Sequence, residues 1–173
     1  MTQIIPVSPW IERFAGHLPQ GGTVLDLACG RGRHARLLAS LGYRVLAVDC
    51  DAEALATLAG WPGGETRQLD LENGDWPLAG QTFAGIVVCN YLWRPRLATL
   101  LAQLEPGGVL IYETFMLGNE AYGKPASPQF LLRPGELREV VRAAGLDELA
   151  FAEGYAALPK PAMRQAIVAT RPI

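Results

Sequence analysis

The chain is short of the features that mark specialised protein classes. It has three cysteines, Cys29, Cys50 and Cys89, at wide and irregular spacing. An odd, scattered set excludes a disulfide framework and lacks zinc-ligand spacing, so no metal site is expected. No apolar run approaches the roughly 20 residues that a membrane helix needs. The start, Met1-Thr2-Gln3-Ile4-Ile5-Pro6, has neither the charged segment nor the long apolar segment of a secretory signal. Reduced thiols and a cytoplasmic location are the expectation. Excess charge of one sign is also missing. A net charge of -2 and a pI near 5.7 supply no broad positive field, so neither nucleic acid nor a membrane surface is an expected partner. Arg31, Arg33 and Arg36 read as one exposed helix face. Repeats, low-complexity tracts and linkers are absent. Only 18% of the residues are charged and 50% are hydrophobic. That is an ordered composition, long enough at 173 residues for one well-cored domain over 1–173.

What is present is alternation. Short apolar runs are separated by helical patterns, which argues for βαβ units and a mostly parallel sheet. Helices are predicted at Ser8–His17, Arg33–Leu41, Ala52–Ala59, Pro95–Leu104 and Pro134–Ala144. Ser8 caps the first, followed by Pro9. Trp10 and Phe14, four apart, read as a core stripe on it, with a lid over the cofactor as the alternative. Strands are predicted at Thr23–Ala28, Arg44–Val48, Thr66–Leu69, Phe83–Cys89 and Val109–Thr114, the last after a Pro106-Gly107-Gly108 turn. Two final strands, Glu148–Glu153 and Gln165–Thr170, have no helix between them and so pair as an antiparallel hairpin. The long segment 115–133 reads as a binding loop.

The chemistry concentrates at the end of the first strand, in Asp26-x-x-x-Gly30-x-Gly32. Glycines there let the backbone turn sharply and approach a ligand. Such ligands bind beyond the carboxyl ends of strands, where strand order reverses. Asp49 ends the second strand and can accept hydrogen bonds from a ribose diol. Asp51 is better placed to cap the next helix. Gly30-x-Gly32-x-x-Ala35 also fits the loose dinucleotide fingerprint, so an NAD(P)-dependent oxidoreductase is the alternative. Three features favour another reading. Asp26 would repel a pyrophosphate but suits a ligand bearing an ammonium and a sulfonium. Asp70 ends the third strand, where it can take an adenine amino group. The terminal hairpin is not part of a plain dinucleotide-binding half.

With these residues the chain resembles the class I S-adenosylmethionine-dependent methyltransferases over nearly its whole length. The Asp-x-x-x-Gly-x-Gly loop, Ala47-Val48-Asp49, Leu69-Asp70-Leu71, the strand Phe83 to Asn90 and Leu104-Glu105-Pro106-Gly107-Gly108 follow the family's order. More narrowly it is similar to small bacterial tellurite-resistance-like methyltransferases. The resemblance implies a Rossmann-like α/β three-layer sandwich with strand order 3-2-1-4-5-7-6 and strand seven antiparallel. It implies that Asp26 and the backbone of Ala28, Gly30 and Gly32, with Cys29 between them, hold the methionine part of S-adenosylmethionine. Asp49 would bind the ribose, with Cys50 beside the adenine. Asp70 and Leu71 would bind adenine, and Asn90 would lie near the sulfonium.

The acceptor is expected to be a small molecule. Its pocket should draw on Asn90 to Arg94, the end of the fifth strand, the long loop and the hairpin. Candidates are Tyr91, Arg94, Glu113, Tyr122, Phe130, Arg133, Tyr155 and Arg164, with Tyr91, Arg94 and Glu113 the candidate catalytic residues. Glu113 reads either as a base or as the ion-pair partner of a loop arginine. A non-catalytic S-adenosylmethionine-binding module is a further alternative. A monomer or homodimer is expected.

Overall fold

A strand covered on both faces can be apolar throughout, and Phe83–Cys89 is buried at every position. In the computed structural model, which describes residues 5–173, it lies at the centre of a seven-stranded sheet. The reading of Met1 to Ile4 falls outside the described residues. The strands are β1 (Thr23–Leu27), β2 (Arg44–Asp49), β3 (Gly64–Gln68), β4 (Phe83–Cys89), β5 (Leu104–Phe115), β6 (Asp147–Ala156) and β7 (Ala162–Thr170). Their order is β3-β2-β1-β4-β5-β7-β6. The first five pair in parallel, and β7 runs antiparallel between β5 and β6. Strand order reverses between β1 and β4, so their carboxyl ends frame a crevice.

Helices α1 (Pro9–Phe14), α2 (Arg33–Ser40), α3 (Ala52–Ala56), α4 (Leu97–Ala102) and α5 (Glu136–Ala143) supply the outer layers. One core joins Ile11, Ala35, Leu38 and Leu55 of α1, α2 and α3 to Val24, Val45, Val87 and Ile111. The other joins Leu97, Leu101, Leu137 and Val141 of α4 and α5 to Leu25, Leu46, Ile86 and Leu110. Truncating a fully buried member such as Leu25 to alanine should cost about 2–5 kcal/mol.

Several boundaries differ from the sequence reading, each for a local reason. The first helix keeps its α form only to Phe14 and ends in a 3-10 turn, Ala15–His17. The third ends at Ala56, because Thr57 turns its hydroxyl back onto the Ala54 carbonyl at 2.7 Å. The fourth begins as a 3-10 turn over Arg94–Arg96. Pro106-Gly107-Gly108 does not precede β5 but lies within it. Phe83 pairs with Leu104 and Gly85 with Val109, so the extra residues bulge. Gly107, at φ +75°, donates its N–H to the Arg171 carbonyl at 2.8 Å. The loop after β5 is closed at its neck by a parallel bridge between Met116 and Leu132.

Candidate functional site

The crevice between β1 and β4 opens into a cleft of about 690 Å³, lined by Asp26, Ala28, Cys29, Gly30, His34 and Asn90 among others. Its floor is backbone in an uncommon conformation. Among the described residues only two other than glycine have positive φ, Ala28 at 54° and Asn90 at 58°. They follow β1 and β4 respectively, on either side of the reversal. Left-handed backbone at a non-glycine residue is costly and concentrates at functional sites. Gly30 (φ +54°) faces open space, whereas a Cβ on Gly32 would lie 2.6 Å from the Leu58 side chain. The first glycine thus keeps the cleft open, and the second allows α2 to pack against α3 and its following turn.

Asp49 fastens this loop. Its Oδ2 accepts the Gly30 N–H at 2.8 Å, and its Oδ1 accepts the Asp51 N–H at 2.9 Å. Asp51 caps α3 by accepting from the Glu53 and Ala54 N–H groups. Asp26 behaves differently. It is buried, one carboxylate oxygen has no hydrogen-bond partner, and the residue lines the cleft. Burial raises its pKa to about 7, against the opposing pull of the Ala35 N–H and the Arg33 guanidinium.

The cleft's rim is tied to α1. Ser8 donates its N–H to His34 Nε2 at 2.9 Å and its hydroxyl to Glu113, while its Oγ accepts the Ile11 N–H as the cap of α1. His34 is therefore a neutral acceptor, its pKa pushed down to about 3 by burial and by Arg33 and Arg164. Arg33 reaches the Pro6 carbonyl and Cys89. Cys29 and Cys89 stay protonated thiols, because burial pushes both pKa values up, Cys89 to about 11.

Not every sequence candidate arrives at this cleft. Cys50 is exposed and does not line the cleft. Asp70 organises a turn, accepting from the Glu72 N–H and from both nitrogens of Asn73. Leu71 and Tyr91 line a separate small cavity with Leu27, Trp76 and Tyr112. Tyr91 donates its hydroxyl to Glu72 at 3.3 Å, and burial raises its pKa. Arg94 is a brace. It pairs with Glu136 at 2.7 Å and donates to the carbonyls of Gln129 and Leu131. Arg133 is exposed beside Glu136 and Glu139, and Phe130 is exposed on the loop.

Glu113, Tyr155 and Arg164 do converge, in a second cavity between α1 and the β6–β7 hairpin. Glu113 is an ion-pair partner there, accepting from Arg164 and from Ser8. Arg164 also donates to Asn90 Oδ1 at 2.5 Å. Its side chain therefore touches a residue of each cavity. The sequence reading gives Ser8 only its capping role, and gives Trp10 a core stripe or a cofactor lid and not the wall of the second cavity that it lines. The Trp10–Phe14 contact, with ring centroids 4.6 Å apart, matches the predicted core stripe and hid that role.

Comparison with known proteins agrees with this arrangement. A family profile described as a methyltransferase domain matches residues 24–108, from β1 to the start of β5. The ubiquinone biosynthesis O-methyltransferase of Burkholderia thailandensis is 30% identical over 161 residues, spanning 79% of this chain and 68% of that protein. The chain spans about half the length of two other curated methyltransferases that it matches, 48% and 46%. The crystal structure of TehB from Haemophilus influenzae superposes with a TM-score of 0.75 at 20% identity, over 92% of this chain and 61% of that one. The 1,6-didemethyltoxoflavin-N1-methyltransferase of Burkholderia thailandensis, solved with its substrate and S-adenosylhomocysteine, superposes at 0.68 with 21% identity, over 95% and 77%. Sheet order, glycine loop and the related sequences together lead to one conclusion: the chain belongs to the class I S-adenosylmethionine-dependent methyltransferases.

Proposed function

We propose that the chain, acting as a single domain, transfers the methyl group of S-adenosylmethionine to a small-molecule acceptor. The observation that carries this reading is the unpartnered oxygen of Asp26. A buried carboxylate without a partner is expensive unless a cation arrives to pair with it. The ammonium of an amino-acid ligand is such a cation, and Arg31 and Arg33 in the same cleft supply the charge its carboxylate requires. Asp49 retains a second lone pair on each oxygen for a ribose diol. The left-handed backbone of Asn90 borders the cleft where a sulfonium would lie. Asp70 and the Leu71 backbone N–H remain the proposed adenine contacts beyond β3, with Cys50 beside the adenine.

When bound, the donor supplies an activated methyl that is displaced in line by a nucleophile. The chain's task is positioning and exclusion of water. Glu113 is already shared between Arg164 and Ser8, so it is assigned to scaffolding and not to proton removal. The oxidoreductase alternative places a pyrophosphate beside Asp26, where like charges oppose it. Relatives named for ubiquinone biosynthesis, for 2-phytyl-1,4-naphtoquinone and for 1,6-didemethyltoxoflavin support a small ring-containing acceptor. Among the described residues no helix is long and apolar enough to cross a membrane, and a cytoplasmic monomer or homodimer is proposed.

Calorimetric titration with S-adenosylmethionine and S-adenosylhomocysteine tests the donor site. Binding of both is expected, and binding of neither would overturn the reading. A non-catalytic module would bind both yet release no S-adenosylhomocysteine with any acceptor.

A further inference from the structure

Only two of the 15 basic residues are lysines, Lys124 and Lys160. Both are exposed, one on the long loop after β5 and one at the turn of the β6–β7 hairpin. These two segments also carry exposed apolar side chains: Leu117, Tyr122 and Phe130 on the loop, Tyr155 and Leu158 on the hairpin. Far apart in sequence, the segments are lashed together in space. Met163 donates its N–H to Asn119 Oδ1 at 3.1 Å and accepts the Met116 N–H on its carbonyl at 3.0 Å. Asn119 Nδ2 in turn holds the Pro125 carbonyl at 2.9 Å, next to Lys124. The rings of Tyr122 and Tyr155 lie 5.5 Å apart. Phe115 pairs with Arg164, and Tyr155 with Met163. Both segments therefore leave the sheet at its carboxyl edge, the edge on which the donor cleft opens.

Exposed apolar side chains scattered singly are ordinary, whereas a cluster of them marks an interaction face. The cations beside the cluster say which partner it fits. Protein interfaces are enriched in arginine and depleted in lysine. Here the nearby arginines are spent on the frame, Arg164 on Glu113 and Asn90, and Arg94 on Glu136. Neither lysine has an ion-pair partner among the described residues. A lysine can keep its ammonium at a phosphate while its stem lies along hydrocarbon. Tyrosine has the same split character and settles where hydrocarbon meets water. Leu158, 66% exposed, is a side chain that such a boundary would bury. The one acid on the two segments, Glu120, accepts the Gly118 N–H at 2.9 Å.

We propose that this face docks on the surface of an anionic phospholipid bilayer, with Tyr122, Tyr155 and Leu158 entering the boundary below the headgroups and Lys124 and Lys160 lying at the phosphates. The net charge of -2 gives no reason to expect such a surface, and the local arrangement supplies one. The contact is peripheral. Two lysines are too few to anchor a chain by charge alone, so the apolar side chains carry the second signal that stable attachment needs. The proposal is independent of the methyl-transfer reading and holds whatever the cleft binds.

The test sediments the full chain with vesicles of phosphatidylcholine and phosphatidylglycerol, three to one, and with vesicles of phosphatidylcholine alone. Each lysine is worth about 5-fold in affinity near an anionic surface. The mixed vesicles should therefore bind about 10-fold more tightly or better, and the pair Lys124→Gln and Lys160→Gln should remove most of that preference. Leu158→Ser should weaken binding to both kinds of vesicle by about 5-fold or more. Arg44→Gln, exposed at the opposite edge of the sheet, should leave both unchanged. All the substituted positions are on the surface, and unchanged thermal unfolding midpoints show that the variants are folded. Failure to sediment with mixed vesicles, equal binding to both kinds, unchanged binding in the lysine pair or in Leu158→Ser, or an equal loss in Arg44→Gln would overturn the proposal. So would a concentration-dependent dimer that Leu158→Ser breaks up, since the face would then belong to a second copy of the chain. S-adenosylhomocysteine binding on the same samples reports separately on the methyl-transfer reading.

Discussion

Asp26 and Glu113 are both buried carboxylates near the carboxyl ends of inner strands, yet their surroundings are opposite. Glu113 has an arginine and a hydroxyl on its two oxygens. Asp26 has one oxygen with nothing. A buried ion pair with its hydrogen bonds made holds elements in place, here α1, β5, β7 and the end of β4. A buried carboxylate left half-made, with only the Ala35 N–H on it, ties down less and weakens the ligand-free fold. The difference separates scaffold from site: the paired acid belongs to the frame, and the lonely acid belongs to a ligand that carries a positive charge.

The largest expected effect tests the paired side. Glu113→Gln leaves the Arg164 guanidinium buried without its counter-charge, and should lower unfolding stability by about 3–5 kcal/mol in urea titration. A loss under about 1 kcal/mol would remove the contrast with Asp26. The next concerns the unpaired side. Asp26→Asn should weaken S-adenosylmethionine binding by about 2 kcal/mol, roughly 30-fold, in calorimetry. Unlike Glu113→Gln, it should stabilise the ligand-free protein at pH 8.

That sign follows from linkage. The folded carboxyl titrates near 7 and the unfolded one near the ordinary 3.8. Between those values the folded state binds more protons, so its contribution to stability falls as pH rises through that window. Thermal unfolding of the ligand-free chain at pH 5 and pH 8 should show this decline. Asp26→Asn should flatten it, and saturating S-adenosylmethionine should oppose it. The smallest effect sharpens the geometry of the cleft floor. Ala28→Gly relieves left-handed backbone but loosens the unfolded chain, for a net gain of about 0.5 kcal/mol. Ala28→Val should destabilise by more than that.

Much of the fold was legible because its signals are local. Apolar runs such as Phe83–Cys89 mark strands, and the loop Asp26 to Gly32 marks where ligands approach. The strand order came from resemblance, and the antiparallel hairpin from the missing crossover helix. What stayed hidden were pairings between distant residues. Ser8 and Glu113 are 105 positions apart, Arg164 and Glu113 are 51, and Arg94 and Glu136 are 42. No periodicity links them. Asp70 shows the reverse difficulty: the Asn73-Gly74 pair beside it already signalled a turn, and the turn takes its carboxylate. Trp10 reads from the sequence as core stripe or cofactor lid, and the spacing cannot choose, since a core stripe and a cavity wall share it.

The bridge between Met116 and Leu132 closes the long loop at its base, with Leu117 and Leu132 N–H groups bonded to the Leu132 and Phe115 carbonyls. Beyond that clasp the loop is tied again at its two ends, by the Met163 N–H on Asn119 and by Arg94 on the Gln129 and Leu131 carbonyls. Doubling the length of such a closed loop costs only about 0.6 kcal/mol. The stretch between these ties is thus a grafting point: the mostly exposed residues 120–128 can be exchanged or extended while the sheet keeps its register. Successive acceptors could be accommodated by trading this one insert, with the methyl-donor half of the molecule left as it is.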